Sequence, residues 1–213
     1  MAALTPSQIE RAQLCDLLLE VGPDAPTLCA GWTTTDLAVH LVIRENQPLA
    51  GPGILLGGPF ARVLESATTR TRSSQTYEQL VDRIRSGPPL WWRPIDSMVN
   101  LNEYFVHHED VRRGGGDLTA RSAAEMAGTD EALWKMLGRT GGLMSRGFRG
   151  FGLDLVRQDN GTIHARHGEP TATLSGPPGE IVLYLMGRKL AAHVELGGSP
   201  EATEALRQAP FGV

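Results

Sequence analysis

The chain has 213 residues, enough for one or two domains, and 41% of them are apolar, as in a folded globular protein. Its 20 basic and 24 acidic residues leave a net charge of -4, with no basic cluster that would indicate a nucleic-acid partner. Two cysteines exclude a disulfide scaffold, and no apolar run approaches the roughly 18 residues of a membrane helix. Without a secretory signal, the sequence predicts a cytoplasmic protein that does not associate with a membrane. Metal-binding chemistry would have to come from carboxylates and six histidines.

Helical periodicity dominates the first half of the chain. A first helix is predicted over 7–21, with an inward apolar stripe formed by Ile9, Leu14, Leu17, Leu18 and Val21. Further helices are predicted over 34–47, 60–69, 77–85 and 96–113. The connection 48–59 contains four Gly and three Pro and is long enough to act as a lid. Four long or medium helices with connections of varied length predict an antiparallel bundle.

The second half has a different texture. A helix is predicted over 129–145, and strands over 152–157, 162–166 and 171–174, with a hairpin turn at Asp159-Asn160-Gly161. A buried helix over 178–188, a strand over 192–196 and a last helix over 200–208 complete a small α+β domain. The sequence therefore predicts a helical domain over 1–118 followed by a small α+β domain over 119–213, an α+β fold overall.

Three residues stand out as potential metal ligands. Glu103 and His107 are four positions apart on one predicted helix, so their Cβ atoms lie about 5–6 Å apart on the same face. His40 lies on an apolar face of a different helix. Two imidazoles and a carboxylate from two helices are typical of a catalytic metal site that keeps an open position.

Simpler interpretations remain open for each of these residues. His40 alone is more typical of a core histidine, and Glu103 with His107 can be an ordinary i,i+4 pair. Asp110 lies on the same helix face and could hold an imidazole N–H, or it could be a surface charge paired with Arg113.

An anionic ligand near such a site would require cationic side chains. Arg44 follows His40 by one turn on the same face and is the best candidate for an anion clamp. Arg188 follows the predicted buried helix and could reach toward the bundle. For both, a surface or interdomain salt bridge is the alternative.

Several motifs resemble one family. The run 29–41, CAGWTTTDLAVHL, resembles the second-helix signature of the mycothiol-dependent maleylpyruvate isomerase family, within the DinB-like metal-binding bundle superfamily. Glu103, His107 and Asp110 match its Glu-x-x-x-His-x-x-Asp mark, and the run 174–188 resembles its sterol-carrier-like small domain. The resemblance covers nearly the whole chain and implies an N-terminal DinB-like antiparallel four-helix bundle followed by that small domain.

The resemblance also implies ligands. In the family, a His of helix two and the Glu and His of helix four bind a divalent metal, usually zinc, which assigns these roles to His40, Glu103 and His107. Arg44 and Asp110 would then be catalytic neighbours, and Arg44 and Arg188 would bind the cofactor. The stretch 91–94, WWRP, and the double histidine look closer to a sub-branch known chiefly as metal-binding proteins, so the isomerase substrate does not transfer.

The resemblance implies chemistry in which the metal holds the thiol of mycothiol as a thiolate that adds to an electrophilic substrate, in a transferase or an isomerase. Such a protein needs no nucleophilic cysteine, and we expect Cys15 to be a core residue and Cys29 to serve packing. A non-catalytic metal- or small-ligand-binding protein on the same bundle is the alternative, and a bundle without metal is a third. The partners are small molecules, and both a monomer and a homodimer remain open.

Overall fold

The structure is a computed structural model that describes residues 4–46, 59–87, 93–159 and 161–212. Within these ranges the chain forms eight helices and one four-stranded sheet, which confirms the predicted α+β class. The helices are α1 (Pro6–Val21), α2 (Thr34–Asn46), α3 (Pro59–Ser74), α4 (Tyr77–Ser86), α5 (Arg93–Gly114), α6 (Ala123–Met144), α7 (Pro178–Leu185) and α8 (Pro200–Gln208). The strands are β1 (Gly152–Val156), β2 (Thr162–Arg166), β3 (Thr171–Ser175) and β4 (Glu195–Gly198). Positions 48–58 of the segment predicted as a lid lie outside the described residues. The two tryptophans at 91 and 92 also lie outside them.

The chain divides into two compact units, an N-terminal unit (Met1–Asp117) and a C-terminal unit (Leu118–Val213). The N-terminal unit holds α1 to α5, and the C-terminal unit holds the sheet and the remaining helices. Among the described residues, no helix combines the length and the apolar character needed to cross a lipid bilayer.

Helix α1 shows how the N-terminal unit mixes apolar and polar packing. It begins at a capping box, in which Thr5 accepts from the backbone of Gln8 and the Gln8 side chain accepts from the backbone of Thr5. The predicted apolar stripe is wrong at both ends, because Ile9 is 37% exposed and Val21 is 40% exposed. The buried face of α1 instead includes polar residues that pair with side chains of other helices. Ile9 and Val21 therefore lie outside the buried face.

The core of the N-terminal unit lies where α1 packs against α4 and α5, and α2 packs against α3 and α4. Its side chains are almost entirely buried and almost all aliphatic, so hydrophobic burial holds these helices together. The central members are Leu14, Cys15, Leu18, Leu37, Leu41, Ile43, Leu80, Val81, Ile84 and Tyr104.

The connection between α1 and α2 lies against the end of α5. The backbone N–H of Leu28 donates to the carbonyl oxygen of Asp110 at 3.0 Å. At Gly114 the two backbones are so close that a β-carbon would lie 2.2 Å from the carbonyl oxygen of Pro26, so glycine is required there. Residues 27–32, called the 27–32 loop below, are therefore fixed to the C-terminal end of α5, which carries Asp110.

The C-terminal unit is built on a mixed sheet with strand order β2-β1-β3-β4. Strands β1 and β3 are parallel, while β2 and β4 pair with them in antiparallel fashion. The register places Leu153 beside Ala172 and Leu155 beside Leu174, so one face of the central pair is apolar and buried. Helix α6 packs against α7 and β2, and α8 packs against β3 and β4.

Several boundaries in the C-terminal unit differ from the sequence prediction. Helix α6 begins at Ala123 rather than at 129, because Ser122 and Glu125 form a capping box. The predicted helix over 178–188 ends at Leu185. The last strand is Glu195–Gly198 rather than 192–196, because its glycines pair with β3.

Candidate metal centre

Three side chains converge on one carboxylate oxygen in the N-terminal unit. Glu103 Oε1 lies 3.0 Å from His40 Nε2, 3.2 Å from His107 Nε2 and 3.2 Å from Arg44 Nε. His40 and Arg44 are one turn apart on α2, while Glu103 and His107 are one turn apart on α5. Each helix therefore contributes a pair of side chains at i,i+4 spacing, and the two pairs meet at Glu103.

The side of His107 away from Glu103 is held by a second carboxylate. His107 Nδ1 lies 2.8 Å from Asp110 Oδ2, and because a carboxylate only accepts, the imidazole N–H donates. The thiol of Cys29 donates to the same Asp110 oxygen, with Sγ at 3.2 Å. Asp110 is 0% exposed, so the alternative interpretation of this residue as a surface charge is wrong.

Aromatic rings cover the histidines. The imidazole centroids of His40 and His107 are 5.2 Å apart in a T-shaped arrangement. The indole ring of Trp32 lies 5.4 Å from the ring of His40 and is 38% exposed. Trp32 thus shields one side of His40 and faces solvent on its other side.

The electrostatics of the cluster follow from burial and pairing. Burial alone would raise the pKa of Glu103, but hydrogen bonds from His107 and His40 and the charges of His107 and Arg44 hold that pKa well below its usual value. Burial alone would lower the pKa of His107, but its hydrogen bonds to Asp110 and Glu103 raise that pKa well above its usual value. Both shifts favour the charged forms of Glu103 and His107, and a cation that binds His107 Nε2 competes with a proton for that atom.

A polar chain connects Arg44 to α1. Arg44 Nη1 donates to Asn100 Oδ1, and Asn100 Nδ2 donates to Glu45 Oε1 at 3.2 Å. The same Glu45 oxygen accepts from Arg11 Nη2 at 2.7 Å, and the Arg11 guanidinium lies 4.5 Å from the ring centroid of Tyr104. Arg44 is thus held from the far side by a buried network.

The donor set fits a divalent transition-metal ion. The ligand atoms of His40, Glu103 and His107 all lie within 4.8 Å of one another, and so do those of Cys29, His107 and Asp110. Two imidazole nitrogens and a carboxylate oxygen are the ligands that zinc takes in catalytic sites, where a fourth position stays open. Within the described residues these are the two groups of such donors, and they share His107.

Three of the four remaining histidines, and Arg188, have other partners. His108 Nδ1 lies 2.9 Å from Glu10 Oε2 on a buried face, and the largely exposed His164 pairs with Asp154 on the sheet. His193 Nε2 lies 2.7 Å from the carbonyl oxygen of Leu118. Arg188 lies in the C-terminal unit, where its Nη1 donates to the carbonyl oxygen of Met186. A cofactor-binding role for Arg188 therefore stays a prediction.

Sequence reasoning missed the contacts of Cys29, Trp32 and Asn100. Cys29 and Asp110 are 81 residues apart, and no periodicity links a loop residue to a helix so distant. The signal that could have found Cys29 and Trp32 is their place in the run CAGW, directly before the helix that carries His40.

The N-terminal unit thus pairs a helical fold with a cluster of two histidines and a glutamate. The chain matches no protein-family model and no curated protein sequence. Its fold is similar to the crystal structure of the mycothiol-dependent maleylpyruvate isomerase, with a TM-score of 0.57, 16% sequence identity and 90% of each chain covered. The structure of a histidine-to-alanine variant of that enzyme matches with a TM-score of 0.53, 18% identity and 90% of each chain covered. At these identities, the similarity establishes a shared fold.

Proposed function

We propose that His40, Glu103 and His107 bind a divalent metal, zinc, and that the protein is a metal-dependent thiol transferase or isomerase using mycothiol. The observation that carries this proposal is the convergence of two imidazole Nε2 atoms on Glu103 Oε1, at 3.0 and 3.2 Å, from two helices. The shared fold with a mycothiol-dependent isomerase supports the same chemistry. We assign 1–118 to a DinB-like bundle and 119–213 to a sterol-carrier-like domain, and expect a cytoplasmic location.

The neighbouring residues of the chain would prepare the site. A divalent ion held by His40, Glu103 and His107 would lower the pKa of a thiol bound to it and so supply a thiolate at neutral pH. Asp110 holds Nδ1–H of His107, which leaves Nε2 to act as the ligand. Trp32 covers one side of His40 and limits the ways in which this imidazole can turn.

Arg44 is the group in this cluster that would receive an anion. Its Nε contacts Glu103 and its Nη1 donates to Asn100, so the guanidinium is already held in position beside the ligands. When Glu103 turns its charge toward a cation, Arg44 can offer a donor to the thiolate or to a substrate carboxylate. The sequence interpretation of Arg44 as an anion clamp is retained in this form.

Metal analysis of the purified protein tests the site. We expect about one divalent ion per chain in the wild type and loss of that ion in His40→Ala and in Glu103→Ala. His164→Ala is the matched control, because this histidine is largely exposed on the sheet and should leave metal content unchanged. A wild-type protein that binds no divalent ion, as purified or on titration, would overturn the metal site.

Calorimetric titration of the metal-loaded protein with mycothiol tests the chemistry. We expect binding in the wild type and a weaker affinity in Arg44→Gln, because the variant removes the cationic donor beside the ligands. If the metal-loaded protein neither binds mycothiol nor conjugates any thiol to an electrophile, the non-catalytic metal- or ligand-binding alternative is favoured.

A further inference from the structure

The 27–32 loop reaches both histidines of the cluster. Its Cys29 thiol donates to Asp110 Oδ2 at 3.2 Å, and that same oxygen accepts from His107 Nδ1 at 2.8 Å. At the other end of the loop, the indole of Trp32 lies 5.4 Å from the ring of His40. The loop therefore supports each imidazole from outside the ligand set.

Internal hydrogen bonds fix the conformation of this loop. The hydroxyl of Thr27 donates to the carbonyl oxygen of Trp32 at 3.0 Å, and the backbone N–H of Cys29 donates to Thr27 Oγ1 at 3.2 Å. The backbone N–H of Trp32 donates to the carbonyl oxygen of Cys29 at 2.9 Å. Together with the bond from Leu28 to Asp110, these contacts fix the backbone of Cys29 within reach of the Asp110 carboxylate.

We propose that Cys29 is a positioning residue for the metal centre, acting on His107 through Asp110. Its thiol holds Asp110 Oδ2 in the orientation that accepts from Nδ1–H of His107, so that Nε2 faces the ligand position. The inference rests on the metal site proposed above, and it adds a cysteine that is neither a ligand nor a nucleophile.

The chemistry explains why a thiol suits this place. The two donors on Asp110 Oδ2 restrict rotation of the carboxylate more than the His107 N–H alone does. A neutral S–H donor adds this restraint without adding a charge to a buried carboxylate. Outer partners of metal-bound histidines change metal affinity by about 10- to 100-fold, and Cys29 lies one contact further out, so we place its effect near tenfold.

A double-mutant cycle between Cys29 and Asp110 tests the inference. The dissociation constant for zinc would be measured by competition with a chromophoric chelator in the full chain. We expect Cys29→Ala to weaken zinc binding about tenfold, Cys29→Ser to restore most of it, and Cys29→Ala to have no further effect in an Asp110→Asn background. An unchanged affinity in Cys29→Ala, or an equal loss in both backgrounds, would overturn it.

Cys15 provides the matched control. This cysteine is fully buried in the core of the same unit, with Sγ 3.8 Å from the carbonyl oxygen of Val81. Cys15→Ala should lower stability and leave the zinc affinity of the folded protein unchanged. An equal loss of zinc affinity in Cys15→Ala and Cys29→Ala would show a general structural effect and overturn the positioning role.

A metal-free measurement separates this inference from the proposed function. The ¹⁵N spectrum of the His107 ring reports which nitrogen carries a proton and how strongly Nδ1–H is bonded. In the metal-free protein, we expect the Nδ1 resonance to shift in Cys29→Ala and to return toward its wild-type position in Cys29→Ser. If the wild type binds no zinc, the metal site fails but this spectrum still decides the role of Cys29, and an unchanged Nδ1 resonance overturns it.

Discussion

The close approach at Gly114 predicts an unusual cost for a conservative substitution. In Gly114→Ala the new β-carbon would lie 2.2 Å from the carbonyl oxygen of Pro26 and 2.6 Å from the Cα of Thr27. Both atoms belong to the backbone, so relief requires movement of the 27–32 loop rather than of a flexible side chain. Overpacking costs about 1–3 kcal/mol, and contacts this short with backbone atoms place the cost at the upper end. The gain in helix propensity recovers at most about 1 kcal/mol, so we expect a net loss of about 2 kcal/mol.

The neighbouring glycine gives a control for this prediction. A β-carbon at Gly115 meets no atom within 4 Å, so Gly115→Ala should be close to neutral. Urea unfolding followed by circular dichroism would compare the two variants with the wild type, and zinc affinity would be measured beside it. Because the 27–32 loop supports Asp110, Gly114→Ala should also weaken zinc binding. Equal unfolding midpoints for Gly114→Ala and Gly115→Ala would refute the packing argument.

Three further changes should alter stability in measurable ways. Arg11→Met removes the guanidinium partner of buried Glu45, 2.7 Å away, and should lower the unfolding free energy by about 3–5 kcal/mol in urea titrations. Gly138→Ala places a β-carbon where nothing lies within 4 Å on α6 and should raise thermal stability by about 1 kcal/mol. Partial burial raises the pKa of Asp36, but hydrogen bonds from Thr33 and a neighbouring guanidinium outweigh it, so the folded pKa lies below the unfolded one. Asp36→Asn should therefore cost about 1 kcal/mol at neutral pH, and unfolding curves should show this difference disappear as the pH falls below about 4.

Local patterns predicted much of the architecture because they depend on neighbours along the chain. The spacing of Glu103 and His107 places both on one face of a helix whatever the rest of the chain does. The helix over 200–208 and the strand over 162–166 were predicted with the bounds that the structure gives, since their turn and capping residues lie next to them. Hydrophobic periodicity and the turn or capping residues at each end suffice to predict such elements.

Contacts between helices determine features of the structure that the sequence pattern could not predict. Ile9 and Val21 belong to the apolar pattern of α1 but are exposed, because buried Glu10 and Arg11 take the inward face through partners on other helices. The meeting of His40 with Glu103 spans 63 residues, so helix periodicity alone could not place them together. Buried polar pairs of this kind depend on packing between helices, which single-helix patterns do not encode.

The two cysteine thiols of the chain differ enough in burial for a reagent to distinguish them. Burial raises the pKa of Cys15 to about 12, so this thiol stays protonated and inert toward alkylating reagents at neutral pH. Cys29 is only half-buried, and a reagent that captures it must first break its bond to Asp110. The rate of alkylation at Cys29 therefore reports how often the 27–32 loop opens. A single label at the Cys29 sulfur would report motion of the 27–32 loop beside the histidines in the folded protein.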